Sequence, residues 1–323
     1  MPTWSVLVAE QVSGGALSKK TTGSVGLALG SGSSRGWSHI GIIRELAEIG
    51  IVPDIVCGCS VGAVVGASYV AGNMDALEEW VYSLTRTDVA RFLDLNITMN
   101  GFVDAPRLQE FLNRYVCDEA AKIEQLARPF ATVSTDLATG REVWFSSGPV
   151  LSSVWASMSL PGLFPPIQSN GRWLVDGGLV NPVPVSICRA LGAETVIAVN
   201  LNGDIVGKHL GREKNRRTDE TADNGIISVF KKTVKNYSPG FFDNGEKNDI
   251  PPGLFEALYS AIGITQDRIT RSRMAGDPPD ILLVPRLANI GLLELYRGKE
   301  AISEGADCVR RMLPEIQHVL RMG

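Results

Sequence analysis

Between residues 25 and 71 the chain twice runs from a short apolar stretch, through small residues, into a helix-period stripe. Val25–Leu29 is a continuous apolar run that ends in the Gly/Ser cluster of residues 30–36, the pattern of a buried strand entering a loop. Trp37, Ile40, Ile43 and Leu46 then recur at helical spacing, and Gly50 closes that helix. A second strand is expected over Ile51–Val56, and the almost entirely apolar Val61–Ala71 reads as a buried helix. Strand, glycine loop, helix, strand, sharp turn, helix is a βαβ unit, and it requires two parallel strands joined by a crossover. The segment Ile55–Met74 has no charge and carries Gly58, Gly62 and Gly66 at four-residue spacing, so a membrane span with a small-residue face is the rival reading. Its β-rich start, its turn at Gly58-Cys59-Ser60 and its many Gly, Ser and Ala residues favour a strand, a tight turn and a buried helix.

Further along, helices are expected over Met74–Leu84, Pro106–Tyr115, Val150–Ser157, Val183–Leu191, Leu254–Arg273 and Tyr296–Leu320. Strands are expected over Phe130–Thr135, Glu142–Phe145, Trp173–Val175, Thr195–Asn200 and Ile281–Val284, with Asn170-Gly171 as a hairpin turn. The prolines of Ser159–Pro166 exclude both helix and central strand. Composition shifts after residue 201, where Lys208, Arg212, Lys214, Arg216 and Arg217 face only Glu213. The chain is therefore divided into an N-terminal extension (1–23), a catalytic core (24–200), a mobile polar insert (201–253), and C-terminal helices with a strand that complete the same domain (254–323).

Composition closes off several classes of function. A formal net charge of -4 lacks the basic excess of a general nucleic-acid binder. Five scattered cysteines form neither a disulfide framework nor a zinc pattern, which points to a reducing compartment and no metal. The N-terminus has no basic start followed by an apolar run, so it is not read as a signal peptide, and a cytoplasmic protein is expected.

Three small-residue motifs carry the chemistry. Gly58-Cys59-Ser60-Val61-Gly62 has the Gly-x-Ser-x-Gly form between a strand and a helix, the context a nucleophile elbow needs. Its serine would project at the positive end of the following helix; the plainer reading is a tight turn. Gly30-Ser31-Gly32-Ser33-Ser34-Arg35-Gly36 also lies between a strand and a helix. As a dinucleotide fingerprint it puts the third glycine one residue late, and as a Walker loop it lacks Gly-Lys-Ser/Thr. An oxyanion hole needs only N–H donors aimed at one point, and the loop fits that best. Asp176-Gly177-Gly178 is either an everyday solvated turn or an acidic residue on an unusual backbone path. Of the three histidines, His39 reads as structural and His318 as exposed, while His209 would complete a Ser60–Asp176–His209 triad in hydrolase order. Against that triad, His209 sits in the most charged and least patterned stretch.

With the glycine loop, the elbow and Asp-Gly-Gly in this order, the sequence resembles the patatin-like phospholipases. The stretch from Gly26 to about Asn200 is similar to that family's whole catalytic domain. Residues 157–166 and 274–280 are similar to its bacterial, neuropathy-target-esterase-like branch. The resemblance implies a three-layer α/β/α fold with a mainly parallel central sheet. It implies a Ser-Asp dyad with Ser60 as nucleophile and Asp176 as base, and no cofactor. It also implies an oxyanion hole at Gly32 and Ser33 with Arg35 as the loop's basic residue, and Gly30, Gly36, Gly58, Gly62, Gly177 and Gly178 as motif glycines. The family loop usually has glycine where this chain has Ser31 and Ser33, so any special backbone angle there becomes strained.

The substrate implied is a fatty-acyl ester, a phospholipid or lysophospholipid. The basic stretch at 208–217, with Lys231, Lys232 and Lys235 near Ile226, Ile227, Phe230, Phe241 and Phe242, suits peripheral contact with an anionic membrane, or is only a solvated loop. Leu254, Phe255, Leu258, Tyr259 and Ile262 form a helix face that lines an acyl pocket or, as the favoured reading, joins the core. The rival functions are a Ser-His-Asp esterase of small soluble esters and a non-catalytic regulatory protein on the same fold.

Overall fold

The computed structural model describes residues 23–92, 105–204 and 254–321. Strand β1 (Val25–Leu29) pairs in parallel with β2 (Ile55–Cys59) on one side and with β7 (Thr195–Val199) on the other. Strand β3 (Phe130–Asp136) continues the parallel run beyond β2, and β8 (Ile281–Leu283) continues it beyond β7. The far end of the sheet is antiparallel: β4 (Glu142–Phe145) and β6 (Arg172–Asp176) both pair with β3, and β5 (Ile167–Ser169) pairs with β6 across the Asn170-Gly171 turn. The sheet is thus mainly parallel, as the βαβ reading requires.

Strand alternation sends successive side chains to opposite faces, and each face is covered. Leu27, Leu29, Val56, Ile197 and Val199 pack under α1 (Ser38–Glu48), α2 (Val61–Val70), α3 (Met74–Ser83), α5 (Ala105–Tyr115), α6 (Val150–Met158) and α9 (Gly298–Val319). Ala28, Cys57, Cys59, Val196 and Ala198 pack under α7 (Val185–Ala190), with Met274 of α8 (Leu254–Gly276) alongside. Helix α4 (Arg86–Phe92) is short and contributes Val89 to the core around Leu27 and Leu29. The result is a three-layer α/β/α architecture. Each fully buried leucine contributes about 1.5–3 kcal/mol of transfer free energy to it.

All ten residues of α2 are buried, so a helix apolar on every side lies inside the fold. Among the described residues no helix is long and apolar enough to cross a membrane. The second strand differs from expectation. It runs over Ile55–Cys59, not Ile51–Val56, because its register is set by β1 and β3, which pair with residues as far as Gly58 and Cys59. The strand therefore ends one residue before Ser60. All five cysteines are buried and free. His209 and the basic-apolar stretch at 208–242 lie outside the described residues.

Candidate active site

Ser60 stands between the last residue of β2 and the first of α2, with φ 56 and ψ -124, a conformation that L side chains rarely adopt. The turn is this sharp because its neighbours are glycine. A Cβ on Gly62 would lie 2.2 Å from the Leu29 carbonyl oxygen, and one on Gly58 would lie 2.5 Å from Ala63 Cα. The backbone N–H of Ser60 donates to Ser157 Oγ at 2.9 Å, which pins the turn to α6. The α2 N-terminus behind Ser60 supplies a partial positive charge.

Ser60 Oγ donates to Asp176 Oδ2 at 2.5 Å, the length of a charge-assisted O–H···O bond. Asp176 ends β6, and its other carboxylate oxygen accepts the Gly178 N–H at 2.7 Å. The backbone around it is tied as well: its N–H donates to the Ser159 carbonyl at 3.0 Å, and its carbonyl accepts Thr135 Oγ1 at 2.8 Å. Burial raises the Asp176 carboxyl to about 6, while the bonds from Ser60 and Gly178 pull it down. It is thus a stronger base than an exposed aspartate, and it is already bonded to the hydroxyl proton.

The glycine loop lies alongside. Its residues 33–37 make a short 3-10 helix, and Gly36 packs directly against Val61. The N–H groups of Gly30, Ser31, Ser34 and Arg35 are spent on the carbonyls of Val199, Pro182, Leu292 and Gly32. The N–H groups of Gly32 and Ser33 precede the first helical bond and are the two amides of the loop left without an acceptor among the described residues. Ser33 has φ 51, so the departure from glycine does place a serine in a left-handed conformation; Ser31 does not share it. Arg35, expected at the oxyanion hole, borders the same pocket as Ser60 and Asp176; its amide and its Nε both bond the Gly32 carbonyl, and burial lowers its guanidinium to about 10. His39 Nε2 lies 2.8 Å from the Gly30 carbonyl, and burial lowers this imidazole to about 4. It is neutral, so Nε2–H donates there and His39 is a structural histidine, as expected. His318 is exposed on the last turn of α9.

Ser60 and Asp176 open into a pocket of about 970 Å³ of empty space, its open mouth included. Its polar lining comes from few residues besides the pair, among them Ser31, Ser33 and Gln266, with Ser31 bonded to Gln266, and most of the rest is apolar, including Val64, Trp80, Phe111, Met158, Leu160 and Leu163. Few polar groups in an otherwise apolar concavity suit a long apolar ligand with one reactive polar group. Tyr259 and Ile262 of α8 also line it, while Tyr259 is buried in a core cluster with Leu160 and Leu163 and Ile262 packs against that cluster, so the helix face does both, and Leu258 is 51% exposed. The side chains of Leu254 and Phe255 lie outside the described residues.

The patatin-like phospholipase family model matches residues 27–189, a span that holds the glycine loop, Ser60 and Asp176. The chain belongs to this family. An uncharacterized NTE family protein of Mycobacterium tuberculosis is 33% identical over 322 residues, covering 87% of this chain and 89% of its own length. Patatin-like phospholipase domain-containing protein 6 of Homo sapiens is 33% identical over 188 residues, which are 56% of this chain and 14% of that protein. Among solved structures, VipD from Legionella pneumophila aligns over 94% of this chain and 80% of its own at a TM-score of 0.36 and 13% identity, too distant to locate any residue. Membership makes the chain a lipid ester hydrolase at the level of the family.

Several groups that shape this patatin-like site carry no sequence signal. Ser157, Ser159 and Thr135 position the Ser60 turn and Asp176 through single hydrogen bonds. Two of them fall in residues 157–166, but their roles emerge only in the fold, where α6 meets the Ser60 turn and β6 pairs with β3.

Proposed function

We propose that this chain hydrolyses fatty-acyl lipid esters, phospholipids or lysophospholipids, through a Ser60–Asp176 dyad and an acyl-enzyme. The 2.5 Å hydrogen bond between Ser60 Oγ and a buried, weakly acidic carboxylate carries this reading. Asp176 takes the hydroxyl proton as Oγ attacks the ester carbonyl carbon. The carbonyl oxygen becomes an oxyanion and accepts from the Gly32 and Ser33 amides, each donor contributing about 3 kcal/mol to the transition state. The intermediate collapses, the C–O bond to the leaving alkoxide breaks, and that oxygen takes the proton from Asp176. Water then attacks the acyl-enzyme, Asp176 accepts its proton, and collapse returns that proton to Ser60 Oγ as the fatty acid leaves. No metal or cofactor enters this sequence of steps. The apolar walls around Met158, Leu163 and Phe111 support a fatty-acyl chain as the group next to the scissile bond.

The test is hydrolysis of a lipid panel read by mass spectrometry, with Ser60→Ala as the blank. Release of fatty acid by the native chain and its loss by at least about 10³-fold in Ser60→Ala and Asp176→Asn is expected. Loss of all ester cleavage in His209→Ala would replace the dyad with a triad. Failure of a fluorophosphonate to label Ser60 in folded protein would replace the enzyme with a regulatory protein on the same fold.

A further inference from the structure

Parts of the chain beyond the family match hold the glycine loop. Ser31 Oγ donates to Gln266 Oε1 at 3.2 Å, Ser33 Oγ to the Leu292 carbonyl at 2.7 Å, and Ser34 Oγ to the Gly291 carbonyl at 2.5 Å. The Ser34 N–H adds a bond to the Leu292 carbonyl at 3.3 Å. Gln266 belongs to α8, and Gly291 and Leu292 to the turn after β8, all outside residues 27–189. These acceptors are themselves fixed. Gln266 Oε1 also accepts Asn202 Nδ2 at 3.1 Å. The Gly291 N–H donates to Glu294 Oε2 at 2.7 Å, and Glu294 pairs with Arg297 at 2.9 Å. Arg297 in turn donates to the Asn289 carbonyl at 2.5 Å. α8 is locked beneath the Asp-Gly-Gly turn, since Arg273 Nε donates to the Val180 carbonyl at 2.7 Å.

The two uncommitted amides, Gly32 and Ser33, lie within this row of anchored hydroxyls. Ser33 also sits at φ 51, where a serine gains by relaxing. Its hydroxyl bond to Leu292 opposes that relaxation. Glycine at these positions would supply the same amides with no tether, so the hydroxyls do something the amides alone do not.

We propose that the hydroxyls of Ser31, Ser33 and Ser34 are positioning groups that hold the Gly32 and Ser33 amides in register with Ser60 by tying the loop to α8 and to the 291–292 turn. The proposal rests on the reading of those amides as the oxyanion donors. Donors stabilise a transition state only when they are in place beforehand, and a displacement of about 1 Å costs up to about a hundredfold in rate.

Ser31→Ala, Ser33→Ala and Ser34→Ala test it in the full chain; Ser33→Ala removes the tether and keeps the left-handed strain that the tether opposes. Each variant is expected to lower kcat about tenfold with KM within about twofold, and to slow fluorophosphonate labelling of Ser60 in parallel. Ser31→Thr, which keeps the hydroxyl, is expected to stay within about threefold of the native kcat. Thermal denaturation run beside the kinetics checks that each variant is folded. Unchanged kcat with a lowered melting temperature would show the serines to be structural only and overturn the proposal, as would a rise in KM alone. Hydrolysis that survives Ser60→Ala would overturn the site reading itself, an outcome separate from either of these.

Discussion

Ser60 Oγ and Asp176 Oδ2 lie 2.5 Å apart across 116 residues of sequence because β2 and β6 end on neighbouring residues of β3. Cys59 pairs with Val133 in parallel, and Asp176 pairs with Ser134 antiparallel. The two strands therefore approach along β3 from opposite directions and stop one step apart. A one-residue slip of either strand would turn its side chains to the other face of the sheet, so the β3 register sets the meeting of the two groups.

The Asp176 carboxyl is raised by burial to about 6, and only its ionised form can accept the Ser60 proton. Hydrolysis is therefore expected to rise through about pH 6 and to be lost below it, a midpoint read from kcat/KM against pH. The same shift acts on stability. The folded carboxyl binds its proton more tightly than the unfolded one, so folding is favoured by this group at low pH, and that contribution is lost as pH rises through about 6. Asp176→Asn removes the penalty. It is expected to be inactive, yet more stable than the native chain at pH 8 by about 1–3 kcal/mol, with the gain gone near pH 4. Urea unfolding at the two pH values measures this; a variant less stable at pH 8 would contradict it.

Ser60 holds φ 56, and such a conformation costs about 1–3 kcal/mol for a residue other than glycine. Glycine adopts such a conformation without strain, whereas alanine does not. Ser60→Gly is expected to melt above Ser60→Ala by about 1 kcal/mol of stability, both being inactive. Calorimetry of the pair decides it, since both substitutions abolish the same hydrogen bond to Asp176.

The parts of this site legible in the sequence are the ones whose physics is local. A turn as sharp as that at Ser60 needs small residues two positions either side, and Gly58 and Gly62 announce it. The strand limits are less legible, because Ile51 and Val52 are as apolar as Cys57 and Cys59 and only the partners β1 and β3 choose between them. Arg35 reads as the loop's basic residue at the oxyanion hole, but that its Nε bonds the Gly32 carbonyl is set by the fold of the loop and carries no sequence signal. Tyr259 and Ile262 have the spacing of a core face, and the pocket they border exists only once α8 packs against the loop. Ser157 and Gln266 are invisible for the same reason: their partners are far away in sequence.

Gly62 opens a helix, where alanine would ordinarily stabilise by about 1 kcal/mol. Here a Cβ would stand 2.2 Å from the Leu29 carbonyl oxygen and 2.9 Å from that of Gly30, backbone atoms that cannot yield without moving β1 and the loop. Gly62→Ala is expected to destabilise by about 1–3 kcal/mol and to lower kcat more than KM, because the displaced backbone carries the amides proposed as oxyanion donors. Denaturation and steady-state kinetics on the same sample test both halves. A stabilised variant would show that the contact is relieved elsewhere.

Ile262 is half-buried and lines the pocket from α8, together with the apolar Val64 and Phe111. If acyl chains run past these residues, Ile262→Trp narrows the channel without touching Ser60, Asp176 or the loop. An ester whose chain reaches past that point must then push the indole aside, whereas a short ester does not. The variant is expected to lower kcat/KM for long-chain esters at least about tenfold, and to leave short-chain esters within about twofold. A ladder of nitrophenyl esters of increasing chain length reads the break directly. Because crowding hinders binding before chemistry, the loss should enter through KM. Equal loss at every chain length would mean that α8 borders the leaving-group side instead, with the acyl chain directed elsewhere.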